Sequence, residues 1–256
     1  MKEQIVQIME GENAAYKDAK YKTVFSDILA SDLPPQEKTV HRMQQEAGGV
    51  VGAAIDTTKA ALSLASFYIL NDPKILATLR AELQKSSPDE AKPPTLTELE
   101  RLPYLTAIIK ESLRLGYGAS QRLPRISPHK PVQYAGWTIP PGTPFSMSNY
   151  LQHNCAAFPN PQSFDPERWL TSKKVVVAEG REPKPMDRYF VPFSRGTRNC
   201  LGQHLAMAEL YIGLATAFRR LDLELFETGE EAVTLARDFF VPLPEVGTKG
   251  VRVIVK

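Results

Sequence analysis

The chain has 256 residues, is 43% hydrophobic and contains 31 basic and 29 acidic residues, which leaves a net charge of +2. This near balance offers no electrostatic basis for binding nucleic acid. The two cysteines, Cys155 and Cys200, form no C-x-x-C pair, so the sequence argues against a structural zinc site and against a disulfide framework.

The first half of the chain is predicted to be helical. Residues 1–30 show weak helical periodicity with many charges, and Ser31–Pro35 combines a helix stop with a helix start. A stretch without proline, from Gln36 to Leu70, predicts one long helix that ends at Asn71-Asp72-Pro73. Amphipathic helices are predicted next over residues 74–85 and Pro103–Leu115, with a polar, proline-rich loop between them from Ser86 to Thr95.

The pattern changes after Gly116. Three short strands are predicted at residues 132–134, 137–139 and 145–147, and an irregular, proline-rich meander at residues 157–192. A helix over Leu201–Leu221 and a strand near residues 251–255 complete the order. We therefore expect a mainly α fold with a small β part, in one domain that covers residues 1–256.

Membrane and targeting signals are not evident in this sequence. The first ten residues carry scattered charges and no apolar core of a signal peptide. The most apolar long window, Ala47–Leu70, contains Asp56 and Lys59, which are costly at a bilayer centre. We interpret this window as a buried helix.

The segment Phe193–Gly202 has the features of a loop that presents a thiolate to a flat ligand. A metal-binding sulfur must be ionised, and the start of the following helix favours the anion. Gly196 and Gly202 allow tight turns and close approach, and Arg198 can hold a carboxylate by a charge-assisted fork. The alternative is that Cys200 is a buried, inert cysteine before a helix.

Two other clusters suggest chemistry. Asp56 and Thr57 follow a run of small residues inside the long helix, where such side chains compete for backbone groups. The alternative is a capped or strained point in a core helix. Glu111 and Arg114 lie at i and i+3 on one helix face, a spacing that is also common in surface ion pairs.

The run Phe193-x-x-Gly196-x-Arg198-x-Cys200-x-Gly202 resembles the signature of the cytochrome P-450 haem-thiolate monooxygenases at all five fixed positions. The resemblance implies the C-terminal portion of that fold, with its long distal helix, meander, cysteine loop and final helix. It implies haem as the cofactor, Cys200 as the axial ligand of the haem iron, and Arg198 as a partner of a haem propionate. Thiolate ligation favours O–O cleavage.

Two further motifs resemble the same family. The run Ala53-Ala54-Ile55-Asp56-Thr57 is similar to one that lies over the distal haem face, which implies that Asp56 and Thr57 help to deliver protons. It departs from the family pattern at Ala54, where glycine is usual, and the extra methyl group would narrow the oxygen groove. The resemblance also implies a buried network of Glu111, Arg114 and Arg168 that locks the meander, although Trp169 stands where the family has phenylalanine.

The remaining candidate residues follow from the resemblance with alternatives left open. Arg125 is either a second propionate partner or a solvated loop arginine. Ser120, Phe239 and Phe240 occupy positions that line the substrate pocket in the family, and core packing explains the two phenylalanines nearly as well. The four histidines, His41, His129, His153 and His204, show no metal spacing and are interpreted as non-ligands.

The resemblance implies a monooxygenase that inserts one atom of O2 into a small organic substrate, with electrons from an NADPH-dependent reductase. It covers only the C-terminal half of the family, so we expect an N-terminally truncated domain without a membrane anchor. The first alternative is therefore a non-catalytic remnant that binds haem weakly or not at all. The second is a haem-thiolate isomerase or dehydratase. Full-length relatives, eukaryotic and of suspected fungal type, would lie at the endoplasmic reticulum membrane, and the location of this chain is left open between that membrane and the cytoplasm.

Overall fold

The structure, a computed structural model, describes residues 2–11, 23–89, 92–180 and 182–256. It confirms a mainly α fold with a small β part. Two compact units divide the chain, residues 1–56 and 57–256, with the boundary inside one long helix. Parts of the predictions for residues 1–30, for the Ser86–Thr95 loop and for the 157–192 meander lie outside the described residues.

The first unit has a small apolar core. Its elements are α1 (Lys2–Met9), α2 (Val24–Ala30), a 3-10 turn (Pro35–Lys38) and the first part of α3 (Val40–Asn71). The buried side chains of Ile5, Met43 and Ala47 form that core. The prediction that a helix runs from Gln36 was wrong at its start, because Thr39 is extended (φ −74°, ψ 154°) and separates the 3-10 turn from α3.

The second unit is built around a helical core. Its helices after α3 are α4 (Pro73–Ser86), α5 (Leu96–Leu99), α6 (Pro103–Leu115), α7 (Asn149–His153) and α8 (Gln203–Arg220). Apolar side chains from α4, α6 and α8 pack with the end of α3 into one cluster that includes Ile69, Leu79, Ile108 and Leu214. Burial of this apolar area is the main stabilising contribution in such a core.

Local sequence explains where these helices begin. Asp72 accepts hydrogen bonds from the backbone N–H groups of Lys74 and Ile75, and Thr95 forms a capping box with Glu98. Pro73 and Pro103 occupy the first turns of α4 and α6, where a missing N–H costs nothing.

The strands are short and form antiparallel pairs. The pairs are β1 (Arg125–Ile126) with β4 (Pro144–Phe145), β2 (Val132–Tyr134) with β3 (Trp137–Ile139), β5 (Lys174–Val175) with β6 (Lys184–Pro185), β7 (Leu223–Leu225) with β10 (Val253–Val255), and β8 (Arg237–Phe239) with β9 (Val241–Leu243). The strand predicted at 145–147 is displaced, because β4 ends at Phe145. Three further 3-10 turns mark the meander and the cysteine loop, at Pro166–Trp169, Met186–Tyr189 and Gly196–Arg198.

The expectation of a buried helix over Ala47–Leu70 was only partly right. Residues such as Leu64, Phe67 and Ile69 are buried, but the stretch from Gly48 to Asp56 is largely exposed, with Ile55 at 57%. The reason is a lack of packing partners in the described residues, since a Cβ built on Gly48 or Gly52 would meet no atom within 4 Å. Among the described helices, none combines the length and apolarity that crossing a bilayer requires.

Helix α6 carries the central residues of the site, and its N-terminus is capped from a neighbouring helix. Its own N-cap residue, Leu102, makes no side-chain cap. Instead the carboxylate of Glu82 on α4 accepts the backbone N–H groups of Tyr104 and Leu105, at 2.8 Å each. A carboxylate at this point also interacts favourably with the helix dipole.

We predict that Glu82→Ala lowers the free energy of unfolding by about 1–2 kcal/mol, the usual cost of losing a helix cap or a charged hydrogen bond. Glu82→Gln should lose less stability, because its amide oxygen can still accept a backbone N–H. Urea unfolding followed by far-UV circular dichroism measures the change. Gln84→Ala, an exposed position on the same helix, is the matched control, and an equal loss in both alanine variants would contradict the capping role.

Candidate functional site

The loop from Phe193 to Gly202 is folded back on itself. The backbone N–H of Cys200 donates to the Phe193 carbonyl at 2.8 Å, and that of Asn199 donates to the Gly196 carbonyl at 3.1 Å. Ser194 (φ 61°) and Gly196 (φ 80°) both adopt left-handed backbone conformations, which glycine tolerates best. The bond between Cys200 and Phe193 closes the loop, so Cys200 lies where the chain leaves it toward α8.

The surface around Cys200 is exposed, and the residues that follow it are partly apolar. Cys200 is a free, exposed cysteine, so it is not buried as the alternative interpretation required. Next to it, the Leu201 side chain is 95% exposed and Leu205 on α8 is 59% exposed. A Cβ on Gly196 or Gly202 would meet nothing within 4 Å. Phe193, at the base of the loop, packs against the main core.

The three candidate arginines of this region have different surroundings. Within the described residues, the exposed guanidinium of Arg198 makes no hydrogen bond or ion pair. Arg195 donates to the backbone carbonyl of Asp187 at 3.2 Å. Arg125 is half-buried, and it donates to the Pro124 carbonyl at 3.0 Å and to the Ser194 hydroxyl at 3.4 Å. Arg198 is thus the arginine of the loop whose donors are left for an anionic group.

A buried ionic network joins α6 to the turn at Pro166–Trp169. Glu111, Arg114 and Arg168 are 0%, 0% and 4% exposed. The Glu111 carboxylate accepts two bonds from Arg114, at 2.8 and 2.9 Å, and one from Arg168, at 3.0 Å. The structure therefore brings together the three residues that the family resemblance grouped, and burial argues against a surface ion pair.

The arginines of the network bind the backbone of the meander. Besides Glu111, Arg114 donates to the carbonyls of His153, Pro161 and Ser163, so five hydrogen bonds use its N–H donors. Arg168 donates to the Pro159 carbonyl at 2.9 Å. A buried charge is tolerated only with such full hydrogen bonding.

Trp169 is a further member of this network. Its indole N–H donates to Glu111 at 2.8 Å, and Lys110 lies 5.2 Å from the centre of its ring. With the backbone N–H of Asp165, which also donates at 2.9 Å, Glu111 accepts five hydrogen bonds. The signal was present in the sequence, since tryptophan brings a donor that phenylalanine lacks.

His153 is a buried residue that the sequence did not single out beyond excluding it as a metal ligand. It is 0% exposed, and its ring contacts the Arg114 carbonyl through Nδ1 and the Val191 N–H through Nε2, each at 3.0 Å. Burial is the main cause that lowers the pKa of His153 to about 4, and the nearby Arg114 charge lowers it further. The imidazole is therefore neutral at pH 7.

Ser120, Phe239 and Phe240 meet at the hairpin of β8 and β9. The Ser120 hydroxyl donates to Asp238 at 2.7 Å, and its backbone N–H donates to the Phe240 carbonyl at 2.8 Å. Phe239 is 73% exposed and Phe240 is 46% exposed, so core packing does not explain these phenylalanines.

Ala53, Asp56 and Thr57 lie on α3, at the boundary between the two units. Ala53 and Asp56 are exposed and Thr57 is half-buried. Their assignment to oxygen chemistry stays a prediction. Across the described residues, no group of three or more histidine, cysteine, aspartate or glutamate side chains could hold a metal ion.

A comparison with protein families decides the identity of the fold. The family model described as cytochrome P-450 matches residues 1–248. The chain belongs to the cytochrome P-450 family. Haem with a cysteine thiolate ligand is the cofactor of this family. The exposed thiol, the exposed leucines 201 and 205, and Arg198, which has no hydrogen-bond partner among the described residues, are chemically suited to hold such a group.

Three curated relatives of this cytochrome P-450 chain come from fungi. A cytochrome P-450 monooxygenase of Eupenicillium brefeldianum is 49% identical over 92% of the chain and 47% of its own length. A cytochrome P-450 monooxygenase of Sordaria araneosa is 47% identical over 90% and 44%, and a tryptophan 6-hydroxylase of Fusarium equiseti 44% identical over 91% and 44%. The chain thus spans about half the length of the curated relatives that it matches.

We predict that Trp169→Phe destabilises this cytochrome P-450 chain by about 1–3 kcal/mol, because a buried carboxylate oxygen loses a donor that phenylalanine cannot replace. Trp137→Phe is the matched control, since Trp137 is 75% exposed, and it should stay within about 0.5 kcal/mol of the wild type. Urea unfolding read by far-UV circular dichroism avoids dependence on tryptophan fluorescence. Equal stability of the two variants would show that the indole bond contributes nothing.

We further predict that His153 makes the free energy of unfolding decrease at acidic pH. Because its pKa is lowered from 6.5 to about 4 on folding, the unfolded chain binds a proton first, and stability declines as the pH falls from 6.5 through 4. The loss approaches about 3 kcal/mol at the acid end. Unfolding free energies of the wild type and of His153→Gln, measured across this range, isolate the effect, since other groups titrate in both. A constant difference between the two proteins would refute the prediction.

Proposed function

We propose that this chain is the haem-binding, C-terminal part of a cytochrome P-450 monooxygenase that hydroxylates a small organic molecule with O2. The observation that carries the proposal is the exposed Cys200 at the end of a folded loop, next to the exposed leucines 201 and 205 and near Arg198, which has no hydrogen-bond partner among the described residues. The names of the fungal relatives support the reaction class.

Each residue of the loop has a separate role in this proposal. Cys200 supplies a thiolate ligand to the haem iron, and Gly196 and Gly202 leave room for a flat ring. Arg198 holds a haem propionate by a charge-assisted fork, and Arg125 is a second propionate partner. Haem ligated by thiolate supplies the activation of O2 and the cleavage of its O–O bond.

Other residues hold the loop in place or contact the substrate. Glu111, Arg114, Arg168 and Trp169 hold the meander on which the loop is built. The exposed rings of Phe239 and Phe240, on a hairpin tied to Ser120, provide apolar contact for a small organic substrate. On the family resemblance alone, Ala53 lies along the oxygen groove, and Asp56 and Thr57 hold and pass protons. Electrons come from an NADPH-dependent reductase.

The proposal predicts that Cys200 alone determines the spectrum of bound haem. The chain is produced with a haem supply, reduced and exposed to carbon monoxide, and the absorption spectrum is recorded. Wild type and Cys155→Ser should both show a strongly red-shifted Soret band, and Cys200→Ser should lose it. Cys155 is the matched control, because it is the other free cysteine and is half-buried.

The other outcomes are informative. A haem band without the red shift in the wild type would mean that a different ligand binds the iron, and an unchanged spectrum in Cys200→Ser would overturn the proposal. Where the band is present, adding a reductase, NADPH and a panel of indole and aromatic substrates tests for oxygen insertion. Haem binding without turnover would reduce the proposal to a haem-binding chain.

A further inference from the structure

The hydrogen-bond partners of His153 determine which of its ring nitrogens carries the proton. The backbone N–H of Val191 can only donate, so Nε2 of His153 accepts that bond at 3.0 Å. The carbonyl of Arg114 can only accept, so Nδ1 carries the proton and donates at 3.0 Å. The ring therefore joins the end of α6 to the meander as the neutral Nδ1–H tautomer.

Val191 lies immediately before the Cys200 loop. Its carbonyl accepts the backbone N–H of Ser194 at 3.0 Å, and the Phe193 carbonyl between them accepts the N–H of Cys200 at 2.8 Å. The next residue, Pro192, has no N–H, so the N–H of Val191 is the donor available to fix the backbone here. The hydrogen bonds thus run from Arg114 through His153 to the base of the loop.

A second contact fixes the same point from another side. A Cβ on Gly118 would lie 2.8 Å from the Pro192 carbonyl oxygen, which shows how closely the two backbone segments approach. Gly118 adopts φ +62°, a conformation that glycine tolerates best. The backbone at Val191–Pro192 is therefore confined between His153 and Gly118.

The ring of His153 is held in place by aromatic neighbours. Phe190 stacks on it at a centroid distance of 5.7 Å, Tyr117 lies at 6.4 Å, and Phe158 approaches edge-on at 6.0 Å. The backbone carbonyl of His153 accepts from Arg114, so main chain and side chain are both anchored to the same residue. Burial also lowers the pKa of the imidazole, which keeps Nε2 free to accept at neutral pH.

We propose that His153 is a positioning residue for the Cys200 loop: its Nε2 holds Val191 and so sets the direction in which the Cys200 thiol faces. The part of this inference that concerns the thiolate rests on the proposed function. The part that concerns the loop backbone does not depend on haem.

Two amide variants test the two hydrogen bonds of the ring one at a time. Glutamine places its amide oxygen near the position of Nε2 and can still accept from Val191, whereas asparagine places its amide nitrogen near Nδ1 and can only preserve the bond to Arg114. We therefore expect His153→Gln to retain the loop geometry and His153→Asn to lose it. If His153 merely filled space, the two variants would behave alike.

The first readout is amide hydrogen exchange in the whole chain without haem. In His153→Asn, exchange at Val191, Ser194 and Cys200 should accelerate about tenfold or more, as expected from losing a buried hydrogen bond. Amides in the middle of α6 and α8 should change little, and His153→Gln should resemble the wild type. Uniform acceleration across α6 and α8, or equal behaviour of the two variants, overturns the proposal.

The second readout is the carbon monoxide spectrum at equal haem content. His153→Asn should show a smaller fraction of haem with the red-shifted band than His153→Gln. If the wild type lacks this band, the proposed function fails, and hydrogen exchange still decides the role of His153. If His153→Asn does not fold, ¹⁵N spectra of the wild-type imidazole decide instead, because a proton on Nε2 is incompatible with a bond from Val191.

Discussion

A carboxylate with no exposure to water has to be compensated by donors that reach it, and in this chain that carboxylate is Glu111. Moving a charge out of water costs several kcal/mol even after relaxation, so such a group is stable only with complete hydrogen bonding. Glu111 accepts five bonds, from Arg114, Arg168, Trp169 and the backbone of Asp165. Arg114 lies on α6 with Glu111, and the other donors lie on the segment Asp165–Trp169, so this single anion requires α6 and that segment to meet in one arrangement. Its contribution is to the uniqueness of that arrangement more than to net stability.

The network extends toward the loop through backbone groups. Arg114 binds the carbonyl of His153, and the ring of His153 binds the carbonyl of Arg114 and the N–H of Val191. Beyond that point the chain turns outward, and the thiol of Cys200 is reached through the bonds at Phe193 and Ser194. The base of the loop at residues 191–193 is thus half-buried and hydrogen-bonded, while residues 195–202 are exposed. A base held by hydrogen bonds suits a ligand-binding loop, because groups that bind a ligand need support from the residues behind them.

Much of the fold followed from local signals. The helix starts at Pro73 and Pro103 were predictable, because proline and capping residues act within a few positions of themselves. The predictions failed at two points for different reasons. Thr39 interrupts the helix predicted from Gln36, because its hydroxyl accepts the backbone N–H of Arg42 at the start of α3, a local signal that the sequence analysis missed. The glycine-rich stretch before Asp56 is exposed although its composition favours burial. Composition reports the tendency of a segment to be buried, but only a packed neighbour makes it so.

The family could be recognised from the sequence alone, and the same motif predicts a thiolate loop. Phe193, Gly196, Arg198, Cys200 and Gly202 lie within ten residues, so their spacing is a property of the chain whatever surrounds it. The contacts of His153 and Trp169 became visible only in the folded chain. His153 binds the backbone groups of residues 114 and 191, which are far apart along the chain. Trp169 donates to the carboxylate of a glutamate 58 residues away. Backbone carbonyls and N–H groups are the same at every position, so a side chain that binds them leaves no pattern of partners in the sequence, and folding alone determines which of them it meets.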